Sequence, residues 1–363
     1  MDSLPAGWHV EGEDLVTTGA GGDLGGDIIT RQQFESFELE LEWAMSPGGN
    51  SGIFFHVVED GSPAPYYTGP EYQLIDDVGF PEHLEEWQMA AANYAMHPAV
   101  GKVLKPVGEF NTSGIVVNDR EVVHYLNGKE VVRYTLWTED WYRRVNEGKW
   151  KNYPSYGRAL YGAVGLQDHG SPVRFRNIRI RDLTDYGHSV FPGPELQGWH
   201  TEGNEKWYTV GDTLVCESGP DKGYGYLVTD SLYQNFVFRC KFRQLSDGNS
   251  GVFFHTTFPD GSIKGWQAEI APPGLHTGAI YESHDRGWIS SVPTPAEDAL
   301  DFGQWNELVV RVENDRVMTW LNGRMVTDLT DPAIAETNGH IALQIHSGGG
   351  VKIEWTDLFI RQL

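Results

Sequence analysis

The chain has 363 residues, of which 40% are hydrophobic and 12% aromatic, and this is enough material to fill two separate cores. Its 51 acidic and 27 basic residues give a formal charge of −24, which would repel a phosphate backbone or an anionic membrane surface. Nucleic-acid partners are therefore not expected. No apolar stretch approaches the roughly 20 residues that a membrane span needs. Cys216 and Cys240, the two cysteines, are too few for a disulfide framework or a cysteine metal site.

The first five residues, Met-Asp-Ser-Leu-Pro, lack the basic and apolar regions of a signal peptide. This leaves two compartments open. The chain could be cytoplasmic, or it could be the mature form of a periplasmic or secreted protein with an added Met, which is the expectation we favour.

The first predicted element is a strand at 37–43, Phe-Glu-Leu-Glu-Leu-Glu-Trp. Apolar and acidic residues alternate with a period of two, so four apolar side chains share one face and three glutamates share the other. The segment 236–242 keeps the apolar face but carries Arg239 and Lys241 on the other. Because the acidic row is not kept, we interpret it as a solvated outer face and not as a row of catalytic carboxylates.

The next segment shows that the chain is duplicated. Residues 49–56, Gly-Asn-Ser-Gly-Ile-Phe-Phe-His, recur at 248–255 with one Ile-to-Val change. Further motifs return in the same order, such as Tyr-Leu-Asn-Gly at 125–128, which becomes Trp-Leu-Asn-Gly at 320–323. Because order and offset are nearly constant, each copy is predicted to be a complete fold of about 170 to 180 residues.

These motifs place the first domain at 1–185 and the second at 195–363. The segment 186–194 between them is predicted to be a linker, because Gly187, Pro192 and their neighbours break regular structure.

A polar pair on the segment 71–76 is the first candidate for a binding site. Glu71 and Gln73 lie two residues apart, so on a strand both point to one face. The second copy has Gln267 and Glu269 in the same places. Exchange of the amide and the carboxylate, with the polar pair kept, suggests a face that binds hydroxyl groups. The alternative is an ordinary hydrated sheet face.

The rest of each copy is predicted to be mostly strands. Asn-Gly at 127–128 lies between two extended runs, and Asn-Gly at 322–323 does the same, which is a strong hairpin signal. Residues 139–147 could form one short helix inside an inserted loop. Many short strands joined by Gly- and Pro-rich turns predict an all-β protein with two tandem antiparallel sandwiches or jelly rolls.

Histidines are the candidates for acid–base chemistry. Gln167 and His169 lie two apart and recur as Gln344 and His346 beside a Gly-rich turn, whereas His124 has Thr319 as its counterpart. A further set of side chains could take part in binding or catalysis, or could be structural or solvent-exposed: His83, Lys105, Tyr94 and Tyr281. The sequence shows no G-x-S-x-G elbow, phosphate loop, H-E-x-x-H or dinucleotide motif.

The motifs of the first copy together resemble the 3-keto-disaccharide hydrolase family. They are Glu-Tyr-Gln-Leu-Ile-Asp at 71–76, Lys-Pro-Val-Gly-Glu-Phe-Asn at 105–111, His-Tyr-Leu-Asn-Gly at 124–128, Gly-Leu-Gln-Asp-His-Gly at 165–170 and Phe-Arg-Asn-Ile at 175–178. The second copy is similar to a sister variety of the family but has Thr356-Asp357 where the first copy has Arg176-Asn177.

The resemblance implies a concanavalin A-like jelly roll that acts on glycosides already oxidised at C3. A ketone at C3 acidifies the C2 proton, so a base can remove it, the C1 substituent can leave, and water addition completes a net hydrolysis. This route needs a base, a positive group at the enolate oxygen and a proton donor. Lysine, arginine or a divalent metal ion would suit the second task, and no cofactor is certain.

On this basis the candidate catalytic residues are His169, His124, Lys105 and His83. The candidate substrate-binding residues are Glu71, Gln73, Asp76, Tyr94, Gln167 and Arg176 in the first copy, and Gln267, Glu269, Tyr281, Gln344 and His346 in the second.

Two other functions remain open from the sequence. A jelly roll with aromatic and amide residues on one face is also what a non-catalytic lectin requires. An ordinary glycosidase would need two carboxyl groups on either side of the bond, and no E-x-D-x-x-E strand is present. The enzyme acting on an oxidised sugar or glycoside is the hypothesis we favour, with its main site on the first copy.

Overall fold

The computed structural model describes residues 4–20, 26–291, 296 and 298–363. The chain divides into two compact units, Met1–Thr184 and Asp185–Leu363. Each unit is an antiparallel β-sandwich, so the predicted all-β tandem fold is confirmed. Among the described residues no helix is long and apolar enough to cross a membrane.

The first unit has one α-helix in its described part, α1 (Glu139–Glu147), between its ninth and tenth strands. Its strands are β1 (Trp8–Glu11), β2 (Asp14–Thr17), β3 (Ile28–Phe34), β4 (Phe37–Met45), β5 (Asn50–Val57), β6 (Glu71–Ile75), β7 (Asn111–Asn118), β8 (Glu121–Leu126), β9 (Lys129–Thr135), β10 (Gly162–Leu166) and β11 (Val173–Asp182). They form a sheet in the order β1-β2-β11-β4-β7-β8-β9 and a second sheet in the order β3-β10-β5-β6. We call the second the binding sheet.

The second unit repeats this plan and has the short helix α2 (Pro332–Ala335) before its penultimate strand. Its strands are β12 (His188–Ser189), β13 (Trp199–Glu202), β14 (Lys206–Val210), β15 (Thr213–Glu217), β16 (Gly225–Thr229), β17 (Phe236–Gln244), β18 (Ser250–Thr257), β19 (Lys264–Ile270), β20 (Ile280–Ser283), β21 (Gly287–Trp288), β22 (Asn306–Glu313), β23 (Arg316–Leu321), β24 (Arg324–Thr330), β25 (His340–Ile345) and β26 (Lys352–Gln362). Its binding sheet has the order β13-β16-β25-β18-β19-β20-β21.

The local predictions explain these elements. In β4 the four apolar side chains of the alternating run are buried, with Phe37 and Leu41 fully inaccessible, while the glutamates lie on the other face. Asn127 and Gly128 both have positive φ, 50° and 78°, as a two-residue type I′ hairpin turn requires. The predicted helix at 139–147 is α1, and Thr138 caps it by accepting a hydrogen bond from the Trp141 backbone. Both cysteines are buried and unpaired.

The predicted linker differs from the structure. Residues 188–189 form β12, which pairs with Ile360 and Phe359 of β26, and the Val190 N–H donates to the Leu358 carbonyl at 2.9 Å. Val190 also packs against the core of the second unit. Glycine and proline predicted a break in the chain, but the edge of the second unit's sheet takes up this segment.

We expect residues 1–184 and 185–363 to fold as separate proteins, because each sandwich has its own sheets and the division falls at a single chain crossing. Circular dichroism of each expressed fragment should show a cooperative thermal transition. A second-unit fragment starting at 191 should melt at a lower temperature, because it loses the pairing of β12. Absence of a transition in both full-length fragments would contradict independent folding.

Candidate functional site

The candidate site of the first unit lies on the outer face of its binding sheet. Tyr72 points inward, where its hydroxyl donates to the Tyr125 carbonyl at 3.0 Å and accepts from Ser113 at 2.8 Å. Because side chains alternate along β6, Glu71 and Gln73 point to the opposite, outer face. Both are nevertheless buried, at 5% and 3% exposure, so other side chains cover this part of the sheet.

A glycine makes room for the buried carboxyl group. Gly52 of β5 lies opposite Gln73 of β6, and its carbonyl accepts from the Gln167 N–H at 3.0 Å. Residues 73 and 167 therefore lie on the two sides of Gly52. A Cβ at Gly52 would lie 2.9 Å from Cδ and 3.0 Å from Cγ of Glu71. The Glu71 side chain therefore lies flat over Gly52. In the second unit Gln267 lies over Gly251 in the same way, which accounts for the repeated glycine of the two eight-residue motifs.

Gly52→Ala is expected to displace the Glu71 carboxyl group and to lower turnover at least tenfold. The cost in stability should be small, because the group in the way is the end of a side chain and not backbone. Gly251→Ala is the matched control, since it displaces Gln267 of the second unit and should leave turnover within about twofold. Steady-state kinetics and thermal melting of both variants measure the two effects. Equal loss of turnover from both substitutions would contradict the expectation that the main site lies on the first copy.

Burial sets the protonation of Glu71. Removal from water raises the pKa of its carboxyl group to about 8, while the Lys149 ammonium lowers this pKa and the Asp27 carboxylate raises it. A carboxyl group with a pKa near 8 exchanges its proton near neutral pH. Groups that act as a general acid or base are tuned in this way.

Lys149 reaches the site from the segment that joins β9 to β10. Its ammonium group lies 4.3 Å from the centre of the Tyr94 ring and 4.7 Å from that of Trp150, so aromatic faces hold the cation. The Tyr94 backbone also donates to the Glu71 carbonyl at 2.9 Å. In the second unit the equivalent connection is only 331–339. It contains the four-residue helix α2 and no counterpart of the turn that carries Lys149.

Two more carboxyl groups and a histidine lie at the site. The Asp168 N–H donates to Asp27 Oδ1 at 3.0 Å. Burial raises the pKa of Asp27, the hydrogen bond from Asp168 lowers it, the Asp168 carboxylate raises it, and His169 lowers it, with a net upward shift. His169 itself is exposed, three residues after the end of β10. Asp27 is thus within electrostatic reach of both Glu71 and His169.

Several side-chain oxygens of this face have no hydrogen-bond partner within the protein. They are Asn50 Oδ1, Gln73 Oε1, Gln167 Oε1 and Asp168 Oδ2. An unsatisfied buried polar atom costs about 1–3 kcal/mol. The surplus of acceptors therefore favours a ligand that brings hydrogen-bond donors, such as the hydroxyl groups of a sugar.

The second unit carries a related but internally bonded array. Gln267 Nε2 donates to Glu269 Oε2 at 2.7 Å and to Gln344 Oε1 at 3.1 Å, and Asn249 Nδ2 also donates to Glu269. Burial raises the pKa of Glu269 to about 7, although the hydrogen bond from Asn249 lowers it.

This array is the floor of a pocket of about 520 Å³, which also contains Tyr281 and His346. All five candidate residues of the second copy therefore lie in one cavity.

His124 lies elsewhere. It is fully buried between the sheets, where burial lowers its pKa to about 4, and its Nδ1 lies 2.9 Å from the Ala91 carbonyl. Ala91 in turn donates its N–H to the Gln73 carbonyl at 2.8 Å. We therefore do not keep His124 as a catalytic residue, because its neutral ring holds the segment that pairs with the site strand and does not reach the site.

The second unit supports this assignment. Thr319, the counterpart of His124, donates from Oγ1 to the Gly278 carbonyl at 2.6 Å, and the Gly278 N–H donates to the Glu269 carbonyl at 2.8 Å. The histidine in the first unit and the threonine in the second thus each bind the segment that pairs with the strand of the polar pair.

Lys105 and Asp76 line a different cavity, of about 360 Å³, which does not include Glu71 or Gln73. The Lys105 ammonium donates to the Phe110 carbonyl at 2.7 Å. Burial raises the pKa of Asp76, but three hydrogen bonds from the backbone N–H groups of residues 48, 78 and 79 lower it below its ordinary value. Asp76 therefore organises a turn, and we move both residues out of the candidate site.

Arg176 and His83 also lie outside the site. Arg176 bonds to Glu42 at 2.8 Å and stacks on the Phe110 ring at 3.7 Å, on the outer face of the larger sheet. The side chain of His83 is 87% exposed, with Glu85 at 3.9 Å. The asparagine of the Phe-Arg-Asn-Ile motif has a structural explanation. Asn177 takes φ of 52° at a β-bulge of β11, and Asp357 takes φ of 51° at the matching bulge of β26.

Sequence reasoning missed Asp27, Asn50, Lys149 and Asp168 as site residues. Asp168 stands inside the motif at 165–170, and Asn50 stands inside the repeated motif at 49–56, so both had a signal. Asp27 and Lys149 had none, because neither is matched between the copies.

In the described part of the chain no group of three or more His, Cys, Asp or Glu side chains is arranged to hold a metal ion.

The fold and the site define a tandem pair of β-sandwiches, each with a buried, polar array on the outer face of one sheet. The chain belongs to the 3-keto-alpha-glucoside-1,2-lyase-like domain family, whose model matches residues 2–181 and 188–361. The family expected from the motifs is thus confirmed, in both copies.

Relatives from two organisms match about half of the chain. A 3-keto-disaccharide hydrolase of Bacteroides thetaiotaomicron is 36% identical over 209 residues, which cover 50% of this chain and 72% of the relative. A solved structure of a candidate glycosyl hydrolase from Parabacteroides distasonis is 40% identical, covers 49% of this chain and 84% of its own, and has a TM-score of 0.46. A second candidate glycosyl hydrolase of that organism is 26% identical, with shares of 50% and 93% and a TM-score of 0.42.

Proposed function

We propose that the first unit cleaves 3-keto-glycosides by 1,2-elimination followed by hydration, with Glu71 as the general base. The observation that carries the proposal is the buried Glu71 carboxyl group with a pKa of about 8, within electrostatic reach of Lys149 and on the same sheet face as unpartnered amide oxygens. The family relation supports an oxidised sugar as the substrate.

The chemistry needs a base for the C2 proton. That proton is acidic only because the C3 ketone takes up the electron pair as an enolate. Glu71 accepts the proton, and its raised pKa makes its carboxylate a stronger base than an exposed glutamate. The enolate then re-forms the ketone, the C1–C2 double bond forms and the bond from C1 to the aglycone oxygen breaks. Water addition at C1, with a proton returned to C2, completes the net hydrolysis.

Two neighbouring groups suit the remaining tasks. The Lys149 ammonium, held on the faces of Tyr94 and Trp150, is the positive charge that stabilises the enolate oxygen. His169, exposed next to Asp27, is the proton donor for the leaving group. A divalent metal ion remains the alternative source of positive charge and is tested by a chelator.

The amides hold the sugar. Gln73 and Gln167 offer acceptors and donors at neighbouring positions of the sheet, and Tyr94 offers a ring face beside the lysine. Hydroxyl groups that satisfy these oxygens would orient C2 over the carboxyl group.

We expect the protein to turn over a 3-keto-glucoside and to leave the parent glucoside intact, because an unoxidised sugar has no acidic C2 proton. In heavy water the product should carry deuterium at C2, which direct displacement would not introduce. Mass spectrometry and NMR of the product, with and without chelator, measure both points. Equal turnover of the two glucosides would contradict elimination and would favour a glycosidase that uses Asp27 and Glu71, whereas binding without turnover would support the lectin.

A further inference from the structure

The second unit carries a cavity that the proposed reaction does not use. Its volume of about 520 Å³ lies within the range of small-molecule sites. Two large aromatic side chains, Tyr224 and Trp288, line it and are 48% and 49% exposed. Exposed rings inside a concave polar site indicate a ligand with an apolar face.

Each of the two rings packs against a neighbouring aromatic ring. Tyr224 stacks on Tyr226, with ring centres 6.3 Å apart and planes 4° apart. Trp288 packs against Tyr281, with centres 5.2 Å apart and planes at 78°. A pyranose ring presents C–H groups on its faces and hydroxyl groups on its edges, so a pocket with aromatic walls and an amide floor matches both parts.

The floor is fixed by its own hydrogen bonds. Glu269 accepts from Gln267 and Asn249, and Gln344 accepts from Gln267 at 3.1 Å. Asn249 Oδ1 is buried without a partner, which leaves an acceptor for a ligand hydroxyl. Preformed polar groups of this kind bind hydroxyls with little loss of side-chain entropy.

The same pocket lacks counterparts of the Glu71 base and of the Lys149 cation, although it contains the buried Glu269 carboxyl group and the histidines His284 and His346. Gln267, an amide that cannot act as a base, stands where the first unit has Glu71. The described residues that line the pocket include no lysine or arginine, so it has no counterpart of the Lys149 ammonium to stabilise an enolate or to attract an anionic sugar. His346 is engaged, with Nδ1 2.9 Å from the Ser347 carbonyl and Nε2 3.4 Å from the Tyr224 hydroxyl.

We propose that the second unit binds a neutral saccharide in this pocket without cleaving it. The site would hold glycan near the protein while the first unit performs the reaction. Binding in the pocket is argued from its own geometry, whereas the absence of cleavage rests on the mechanism proposed for the first unit.

The test uses the full chain with Glu71→Gln, so that turnover in the first unit is suppressed. Isothermal titration with maltose, cellobiose and lactose should show binding of at least one of them, and glucuronic acid should bind at least tenfold more weakly. Adding Trp288→Ala or Tyr224→Ala should weaken the neutral sugar at least tenfold. Trp305→Ala is the matched control, because Trp305 is a similarly exposed ring in the same unit that packs on Arg243 away from the pocket, and it should change nothing.

Turnover separates this proposal from that of the first unit. In the otherwise unchanged chain, Trp288→Ala should leave kcat for a 3-keto-glucoside within about twofold. The proposal is overturned if none of the three neutral disaccharides binds in a way that depends on Trp288 or Tyr224. It is also overturned if Glu269→Gln abolishes turnover, because the second pocket would then be catalytic.

Discussion

Glu71→Gln is expected to lower turnover of a 3-keto-glucoside by about 10²- to 10⁴-fold, the usual contribution of a general base. Glutamine keeps the size and the neutral form of the buried side chain but cannot accept the C2 proton. Binding of the substrate should survive, because the neighbouring amides are unchanged. Single-turnover kinetics with a titration of the substrate measures the two effects separately.

The matched control is Glu269→Gln, which makes the same change in the buried carboxyl group of the second unit and should alter turnover by less than about twofold. His169→Ala against His346→Ala tests the same division, and the first should cause the larger loss. A greater loss from either substitution in the second unit would transfer the reaction there.

Lys149→Met is expected to have the second large effect. It should lower kcat/KM by about 10²- to 10³-fold at high pH, on the plateau where kcat/KM no longer changes with pH, because a charged donor to the enolate is removed. Lys151→Met, two residues further along and also exposed, is the control and should leave the plateau unchanged. Loss of activity from both variants would indicate disruption of the turn and not loss of a specific charge.

The pH dependence of kcat/KM should shift in a predictable direction when Lys149 or Asp27 is replaced. Glu71 acts as a base only when deprotonated, so kcat/KM should rise with pH and level off above about pH 8, where the carboxylate predominates. The Lys149 ammonium lowers this pKa, so Lys149→Met should move the rising limb to higher pH. Asp27 raises the pKa, so Asp27→Asn should move the limb to lower pH. Shifts in the same direction for both variants would contradict Glu71 as the titrating base.

The amphipathic pattern and the duplication made much of the fold predictable. Alternation in the segment 37–43 predicted a strand with one buried face, because side chains of a strand point alternately to its two sides. Asn-Gly at 127–128 predicted a hairpin, because these two residue types tolerate the positive φ of its turn. Such features depend on a few adjacent residues, so they can be read without knowing what packs against them.

The polar pair could be predicted for the same reason, because it depends only on the two-residue period of a strand. Glu71 and Gln73 share a face whenever the segment is a strand, and Gln267 and Glu269 repeat the relation in the second copy. The sequence therefore determined which face of which strand carries the polar pair in each unit.

Only the tertiary structure decided what those residues can do. The raised pKa of Glu71 arises from burial under other parts of the chain, and Lys149 and Asp27 approach it from distant connections. His124 and His169 were equal candidates as residue types, but one is enclosed between the sheets and the other lies exposed after β10 beside Asp27. Burial and charge environment depend on which segments pack together, and residues far apart in the chain set them, so a local pattern does not contain them.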